Sequence, residues 1–113
     1  MTSFSPKQAD LRSRFHYIPD PVRSSHIVGV SRSVREGCLP VHGLRVLPVG
    51  STSGWYIWAG GEMSEDPDFF VPLHASHLST WRPEVLPYLE MPPGWRFAIA
   101  PGYEDVWFDP TLE

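Results

Sequence analysis

The sequence predicts a small α+β domain, built mainly from an antiparallel sheet with one or two short helices packed on one face. Three observations favour this class. The length of 113 residues suits a single hydrophobic core. Short stretches of alternating or aliphatic side chains recur along the chain, as they do in β-strands. Helical patterns also occur, but without the repeated strand–helix–strand alternation of a parallel sheet.

The first elements are an arm and a short strand. Residues 1–25 are polar and contain three prolines, so we expect a partly flexible N-terminal arm followed by one domain over residues 26–113. A short helix is expected over Pro6–Phe15, with Ser5 as its cap and proline at the first helical position. The aliphatic cluster within residues 26–31 predicts a short buried strand.

The middle of the chain is punctuated by glycine and proline. A single helical turn should follow the first strand and end at Gly37. Residues 38–49 alternate weakly but contain two prolines, each of which removes a backbone donor, so any strand here is expected to be irregular or at a sheet edge. Residues 50–54 have the composition of a loop.

A strong strand pattern covers residues 55–59, which are aromatic and β-branched and are flanked by glycines. Alternation places Tyr56 and Trp58 on the face opposite to Trp55 and Ile57. If helices cover only one face of the sheet, Tyr56 and Trp58 are partly exposed, and Trp107 with them.

The remaining elements follow an acidic loop over residues 62–68. Helical spacing predicts a helix over residues 74–81, and the sequence Arg-Pro then ends it. A second short helix is expected over residues 83–89. Residues 95–99 alternate cleanly, and residues 106–108 are expected to pair with them as a hairpin across a Pro-Gly turn.

Composition excludes several classes of protein. The longest apolar run has five residues, far short of a membrane span of about 20. No apolar segment of a secretory signal begins the chain, so we expect a cytoplasmic location and no membrane partner. The net charge of −4 argues against nucleic acid as a partner. Cys38 is the single cysteine, which excludes an internal disulfide, and it is expected to be a small buried hydrophobe.

Charge is divided unevenly along the chain. Residues 1–54 contain seven Lys or Arg and three Asp or Glu, whereas residues 55–113 contain two and ten. Twelve of the fifteen aromatic residues also lie in the second half. This half therefore combines an acidic surface with large apolar side chains, a combination that suits a protein interface.

Two sets of side chains are candidates for a functional site. His74 and His77 have the spacing of a metal pair on a helix, but two imidazoles need a further ligand, so no cofactor is expected. The second set is a partner-binding surface, with aromatic anchors and a field of carboxylates. Its members are Tyr56, Trp58, Glu62, Glu65, Asp66, Asp68, Glu104, Asp105 and Trp107.

The second half also resembles a known family. The residues that carry the resemblance are the segment Ser53–Glu62, the Asp66-Pro67-Asp68 triplet, residues 83–89 and the Pro-Gly-Trp-Arg-Phe run at 93–97. In this order they are similar to a family of small bacterial proteins, formerly a domain of unknown function. That family is now classed as the thirty-third family of immunity proteins of polymorphic toxin systems. The resemblance implies a non-enzymatic protein that neutralises a cognate toxin.

Two readings of the function therefore remain open at this stage. The first is an immunity protein, a monomer or weak homodimer, that binds a protein toxin through the acidic and aromatic surface. The alternative is a metal-binding or small-ligand-binding protein, or an enzyme, that uses His74 and His77.

Overall fold

One six-stranded mixed sheet organises the chain. The structure is a computed structural model and describes residues 6–64 and 66–112. The strands are β1 (Ile27–Val30), β2 (Val41–Arg45), β3 (Thr52–Ala59), β4 (Val71–His74), β5 (Trp95–Ala100) and β6 (Tyr103–Phe108). The α-helices are α1 (Pro6–Phe15), α2 (Arg32–Arg35) and α3 (Leu78–Trp81), and 3-10 helices cover Ala75–His77, Pro83–Tyr88 and Pro110–Leu112. Among these described helices, none has the length and apolar character needed to cross a bilayer.

The strand order is β4-β1-β3-β2-β5-β6. Strands β1 and β3 run parallel, and every other neighbouring pair is antiparallel. The α+β class and the mainly antiparallel sheet predicted from the sequence are therefore confirmed. The predicted hairpin is also present, since β5 and β6 pair across the turn at Pro101 and Gly102.

One face of the sheet carries the core. Cross-strand partners share a face, so Val28 lies beside Leu73, and Val30 lies beside Ile57. The three α-helices pack on this side. Each contributes one fully buried side chain to the same core: Leu11 from α1, Val34 from α2 and Leu78 from α3. We call this side the covered face.

Strand β2 is central and pairs in regular register, so the prediction that a strand within residues 38–49 is irregular or at a sheet edge is wrong. It pairs with β3 on one side and β5 on the other. Pro40 and Pro48 lie just outside the strand and remove no donor from either ladder. Inside the strand, Gly43 leaves space for the ring of Phe97, which a β-carbon would overlap. Tertiary packing thus explains the glycine that made this segment look irregular.

Two other boundaries differ from the prediction. Strand β3 begins at Thr52, within the predicted loop, because Thr52 pairs with Ile27 of β1. The sequence predicts a helix over residues 74–81. Within this segment His74 ends strand β4, Ala75–His77 form a 3-10 helix, and Leu78–Trp81 form α3. Residues 71–74 pair with β1. Pairing with a distant strand outweighs local helical spacing in this segment.

The N-terminal segment packs against the covered face. Helix α1 forms over the predicted residues, and Leu11 and Tyr17 belong to the core cluster. Ser5, the predicted cap, lies outside the described residues. The division of the chain at residue 25 and the flexibility of the arm stay predictions.

A buried arginine joins this segment to the sheet. The guanidinium of Arg45 donates to the backbone oxygens of Ser53 at 2.8 Å, Asp20 at 2.7 Å and Met91 at 3.0 Å. Burial lowers the pKa of Arg45, and the nearby Asp20 carboxylate opposes that shift. The guanidinium thereby satisfies three carbonyls from three separate segments.

We expect Arg45→Met to destabilise the fold. The substitution keeps an unbranched apolar stem but leaves these three carbonyls without their donor, at a cost of about 3 kcal/mol in the free energy of unfolding. Urea denaturation measures this change. Arg23→Met, at an exposed arginine, is the control and should change stability by less than about 0.5 kcal/mol. Equal losses in the two variants would contradict the role assigned to Arg45.

Candidate functional site

None of the three described α-helices packs on the second face of the sheet, and we call it the open face. Its side chains alternate with those of the covered face along strands β2, β3, β5 and β6. They are His42, Leu44, Tyr56, Trp58, Arg96, Ala98, Tyr103, Asp105 and Trp107. The sequence therefore places Tyr56, Trp58 and Trp107 correctly on one face.

Two of the three predicted aromatic anchors are exposed on the open face. Tyr56 exposes 38% of its surface, and Trp107 exposes 37%. The ring of Tyr56 lies over Gly29, where an added β-carbon would come within 2.8 Å of the ring. The guanidinium of Arg96 lies over the ring of Trp107, 5.3 Å from its centroid. Both rings are therefore held by their neighbours while presenting surface to solvent.

Trp58 is buried, with 4% of its surface exposed, so the prediction of partial exposure is wrong for this residue. Its ring stacks on His42 with centroids 5.1 Å apart, and Phe70 meets its edge at 6.3 Å. The indole N–H donates to the backbone oxygen of Gly61 at 3.1 Å. Trp58 thus anchors the start of the acidic loop and is not available as a contact.

The acidic loop borders the open face. It leaves β3 and returns to β4 through Phe70, whose ring meets the edge of Tyr56 at 5.1 Å. Within this loop Glu62, Asp66 and Asp68 are exposed, and the Asp66 carboxylate accepts the backbone N–H of Asp68 at 2.9 Å. Glu65, the remaining predicted member, lies outside the described residues. Three predicted carboxylates thus lie on the loop that adjoins one exposed anchor.

The predicted acidic pair on β6 is divided between the two faces. Asp105 pairs with Ala98 and is exposed on the open face. Glu104 pairs with Ile99 on the covered face, where Lys7 at 2.5 Å and Arg14 at 2.6 Å contact its carboxylate. Glu104 therefore belongs to an intramolecular ion-pair cluster, and Asp105 is the exposed member of the two.

The ion-pair cluster shifts the titration of Glu104. Burial opposes its ionisation, but hydrogen bonds from Lys7, Tyr88 and Arg14 outweigh burial and lower the pKa of this carboxyl to about 2. Burial also raises the pKa of Tyr88, and its hydrogen bond to Glu104 raises it further. Strand β6 is thereby tied to helix α1.

A second carboxylate, that of the buried Glu90, holds the same helix. Glu90 accepts two hydrogen bonds from the guanidinium of Arg12, both at 2.6 Å, and one from the hydroxyl of Tyr17 at 2.8 Å. Burial raises the pKa of Tyr17, and its hydrogen bond to Glu90 adds to that shift. Three basic side chains of α1 thus pair with carboxylates from the acidic half.

An apolar cavity of about 290 Å³ opens beside Tyr56. Gly29 and Gly54 contribute backbone without side chains to its wall. Leu47 and Val49, both exposed, form part of its rim. The cavity can accept an aliphatic or aromatic side chain next to the exposed ring of Tyr56.

Sequence reasoning missed three residues of the open face: Phe70, Arg96 and Tyr103. Tyr103 exposes 52% of its surface and shares a face with Trp107. Extending the predicted final strand backwards to residue 103 would have revealed this alternation. No local signal indicates that Phe70 folds over β3 or that Arg96 lies over Trp107, because both contacts join separate segments of the chain.

The histidine pair has a different arrangement from the one predicted. His74 ends strand β4 and His77 lies in a 3-10 helix; both are exposed, and their ring centroids are 6.1 Å apart. Within residues 6–64 and 66–112, no three His, Cys, Asp or Glu side chains form a metal-binding group. Cys38 is exposed, so the prediction that it is buried is wrong. A ligand-binding role for His74 and His77 stays a prediction.

A family model described as the Imm33-like domain matches residues 7–109, which include all but the first residue of α1, all six strands and the open face. No curated protein and no solved structure matches the chain.

The ion-pair cluster at Glu104 predicts a pH dependence of stability. Because its folded pKa is about 2, below the ordinary value of 4.5, ionised Glu104 stabilises the fold above about pH 5. This contribution is lost as the pH falls towards 2. The difference in free energy of unfolding between wild type and Glu104→Gln should therefore shrink over that interval, as measured by urea denaturation at successive pH values.

Asp105→Asn is the matched control, since Asp105 is adjacent to Glu104 but exposed on the other face. The same pH dependence in both variants would contradict the stabilising role of the cluster.

Proposed function

The chain belongs to the Imm33-like domain family, and on this premise we propose that it is a non-enzymatic immunity protein that neutralises a cognate protein toxin. Such a protein has no reaction to catalyse. It needs a surface that covers the toxin's active site or the path of its substrate, with affinity sufficient to keep the complex closed.

The main support for this proposal is the exposure of aromatic side chains on the open face. This face exposes Tyr56 and Trp107 without a covering α-helix in the described part of the chain. Aromatic side chains at the centre of an interface contribute most to affinity because they bury large apolar areas with little loss of side-chain entropy. We infer that these two rings are anchors for the toxin and that the cavity beside Tyr56 receives an apolar side chain from it.

The exposed charges of this protein indicate the sign of the charge on its partner. Lys7, Arg12 and Arg14 are paired within the protein, as described above, whereas Asp66 and Asp105 are exposed. With a net charge of −4, this surface attracts a basic partner, and such attraction accelerates association. A basic nuclease is a toxin class that fits this sign.

The proposal is tested with the purified product of the gene that adjoins the gene for this protein, taken as the candidate toxin. Co-expression should restore growth of cells that produce the toxin, and the two proteins should form a stable complex. Trp107→Ala should accelerate dissociation by about 30-fold or more in surface plasmon resonance, as expected for an interface anchor. Ile18→Ala, at an aliphatic residue that is 84% exposed in the N-terminal segment, should leave dissociation unchanged.

Failure of the toxin to bind would overturn the proposed function. Equal dissociation rates for the two variants would remove Trp107 from the interface but would leave the immunity role in place.

The acidic loop should govern the rate of association. Asp66→Lys together with Asp68→Lys should slow association with the toxin several-fold at low ionic strength and flatten its dependence on salt concentration. Stopped-flow fluorescence measures both effects. Glu36→Lys, an exposed charge reversal at the end of α2, is the control. An association rate that the loop variant leaves unchanged would rule out steering by this loop.

A further inference from the structure

The two edges of the sheet differ in how well they are protected from pairing. Strand β4 forms one edge and has four residues, including Pro72, which cannot donate a hydrogen bond. Strand β6 forms the other edge with six residues and contains neither proline nor lysine. A short strand and a proline prevent association at a sheet edge, so β4 is protected. The carboxylates of Glu104 and Asp105 protect β6 against a strand of like charge but not against a basic one.

The backbone groups of β6 alternate in direction. Ala100 and Tyr103 close the two-residue turn between β5 and β6, and the N–H of Asp109 bonds to the oxygen of Gly94 at 2.7 Å. In an antiparallel pair, hydrogen-bonded and non-hydrogen-bonded positions alternate, so residues 103, 105 and 107 direct their backbone groups towards β5. Residues 104, 106 and 108 direct theirs outward, where no other strand of the described chain pairs with them.

Exposed aromatic side chains lie on both faces of β6. Tyr103 and Trp107 lie on the open face, and Phe108 lies on the covered face with 43% of its surface exposed. An edge with unpaired amides and three exposed aromatic rings can provide hydrogen bonds and apolar contact to the same added strand.

We propose that β6 pairs with an extended, basic segment of the cognate toxin, so that the sheet of this protein continues across the interface. This inference rests on the proposed function and specifies how the toxin is bound. The added strand lies beside Trp107, so the same partner contacts the anchor on the open face. Backbone pairing supplies affinity, and the aromatic rings select side chains on alternating positions of the toxin strand.

The charge of β6 favours a basic segment over a second copy of this chain. Residues 103–109 contain Glu104, Asp105 and Asp109 and no Lys or Arg. Glu104 is paired with Lys7 and Arg14, and Asp109 is paired with Arg96, so in the described chain Asp105 is the carboxylate of this segment that has no ion pair. Antiparallel pairing of two copies would bring two such carboxylates onto one short ladder, between two chains that each have a net charge of −4, and like charges on paired strands are destabilising. A strand with Lys or Arg opposite Asp105 would instead add favourable contacts, because Asp105 is exposed on the open face.

Amide hydrogen exchange tests this pairing directly. Free protein and its complex with the purified toxin are compared by NMR, residue by residue. The amides of Glu104, Val106 and Phe108 should exchange at least about tenfold more slowly in the complex, because they become hydrogen-bonded. The amides of Asp105 and Trp107 already bond to β5 and serve as the internal control, with a much smaller change.

Two substitutions at Val106 distinguish the contribution of its backbone N–H to toxin binding from that of its side chain. Val106→Pro removes the outward N–H at an edge position where proline is tolerated, whereas Val106→Ala keeps the N–H and shortens the same side chain. The proline variant should weaken toxin binding at least about tenfold more than the alanine variant. Circular dichroism checks that both variants are folded, and the exchange experiment decides the question if the proline variant is not.

The outcomes distinguish the inference from the proposed function. A complex that forms without slower exchange at Glu104, Val106 and Phe108 overturns strand pairing and leaves the immunity role intact. Exchange at these amides could instead become slower without toxin as the protein concentration rises. That result would show that a second copy of this chain, and not the toxin, pairs with β6. Absence of any complex overturns both proposals.

Discussion

The buried guanidinium of Arg45 is the interaction on which the covered face depends. It lies at the end of central strand β2, and its donors reach backbone oxygens of the N-terminal segment, of β3 and of the segment before β5. Without such a donor, these carbonyls would be buried at the meeting point of three segments and unpaired, which is costly. The indole N–H of Trp55 continues the pattern by bonding to the oxygen of Leu89 at 2.9 Å. Polar groups of the core are thus satisfied in a way that holds helix α1 and the connection to β5 against the sheet.

The uneven charge of the sequence is largely explained by this packing. Basic side chains of α1 pair with Glu90 and Glu104 of the acidic half, so opposite charges hold the two ends of the chain together. Glu90 is buried, and a buried carboxylate requires such partners. Carboxylates that do not take part in these ion pairs remain available to solvent. The acidic loop and Asp105 keep their exposure, and they lie beside the exposed rings of the open face. The exposed carboxylates of the acidic loop and of Asp105 therefore lie where the proposed toxin contact occurs.

Predictions from sequence succeeded where one segment determines its own structure. Strand β5 alternates with period two and is flanked by turn residues, so its position could be predicted without knowing its neighbours. Strands β2 and β4 could not, because Gly43 and Pro72 disfavour strands unless a specific partner is present. For β2 that partner includes the Phe97 ring over Gly43, and for β4 it is strand β1. The burial of Trp58 likewise depends on His42 and Phe70, which approach from other parts of the chain.

The sequence by itself determined the α+β class, the faces on which the alternating aromatic residues lie, and the resemblance to an immunity family. These properties follow from local periodicity and from the order of short motifs, and both can be seen within a few residues. Only the tertiary structure decided which face the helices cover, which carboxylates are paired internally and which edge of the sheet is unprotected. The first two depend on contacts between distant segments, such as that of Lys7 in α1 with Glu104. The third depends on the strand order, which within the described chain gives β6 a single neighbouring strand, β5. Alternation assigns Tyr56 and Trp58 to the same face, but the approach of Phe70 and His42 leaves Tyr56 exposed and Trp58 buried.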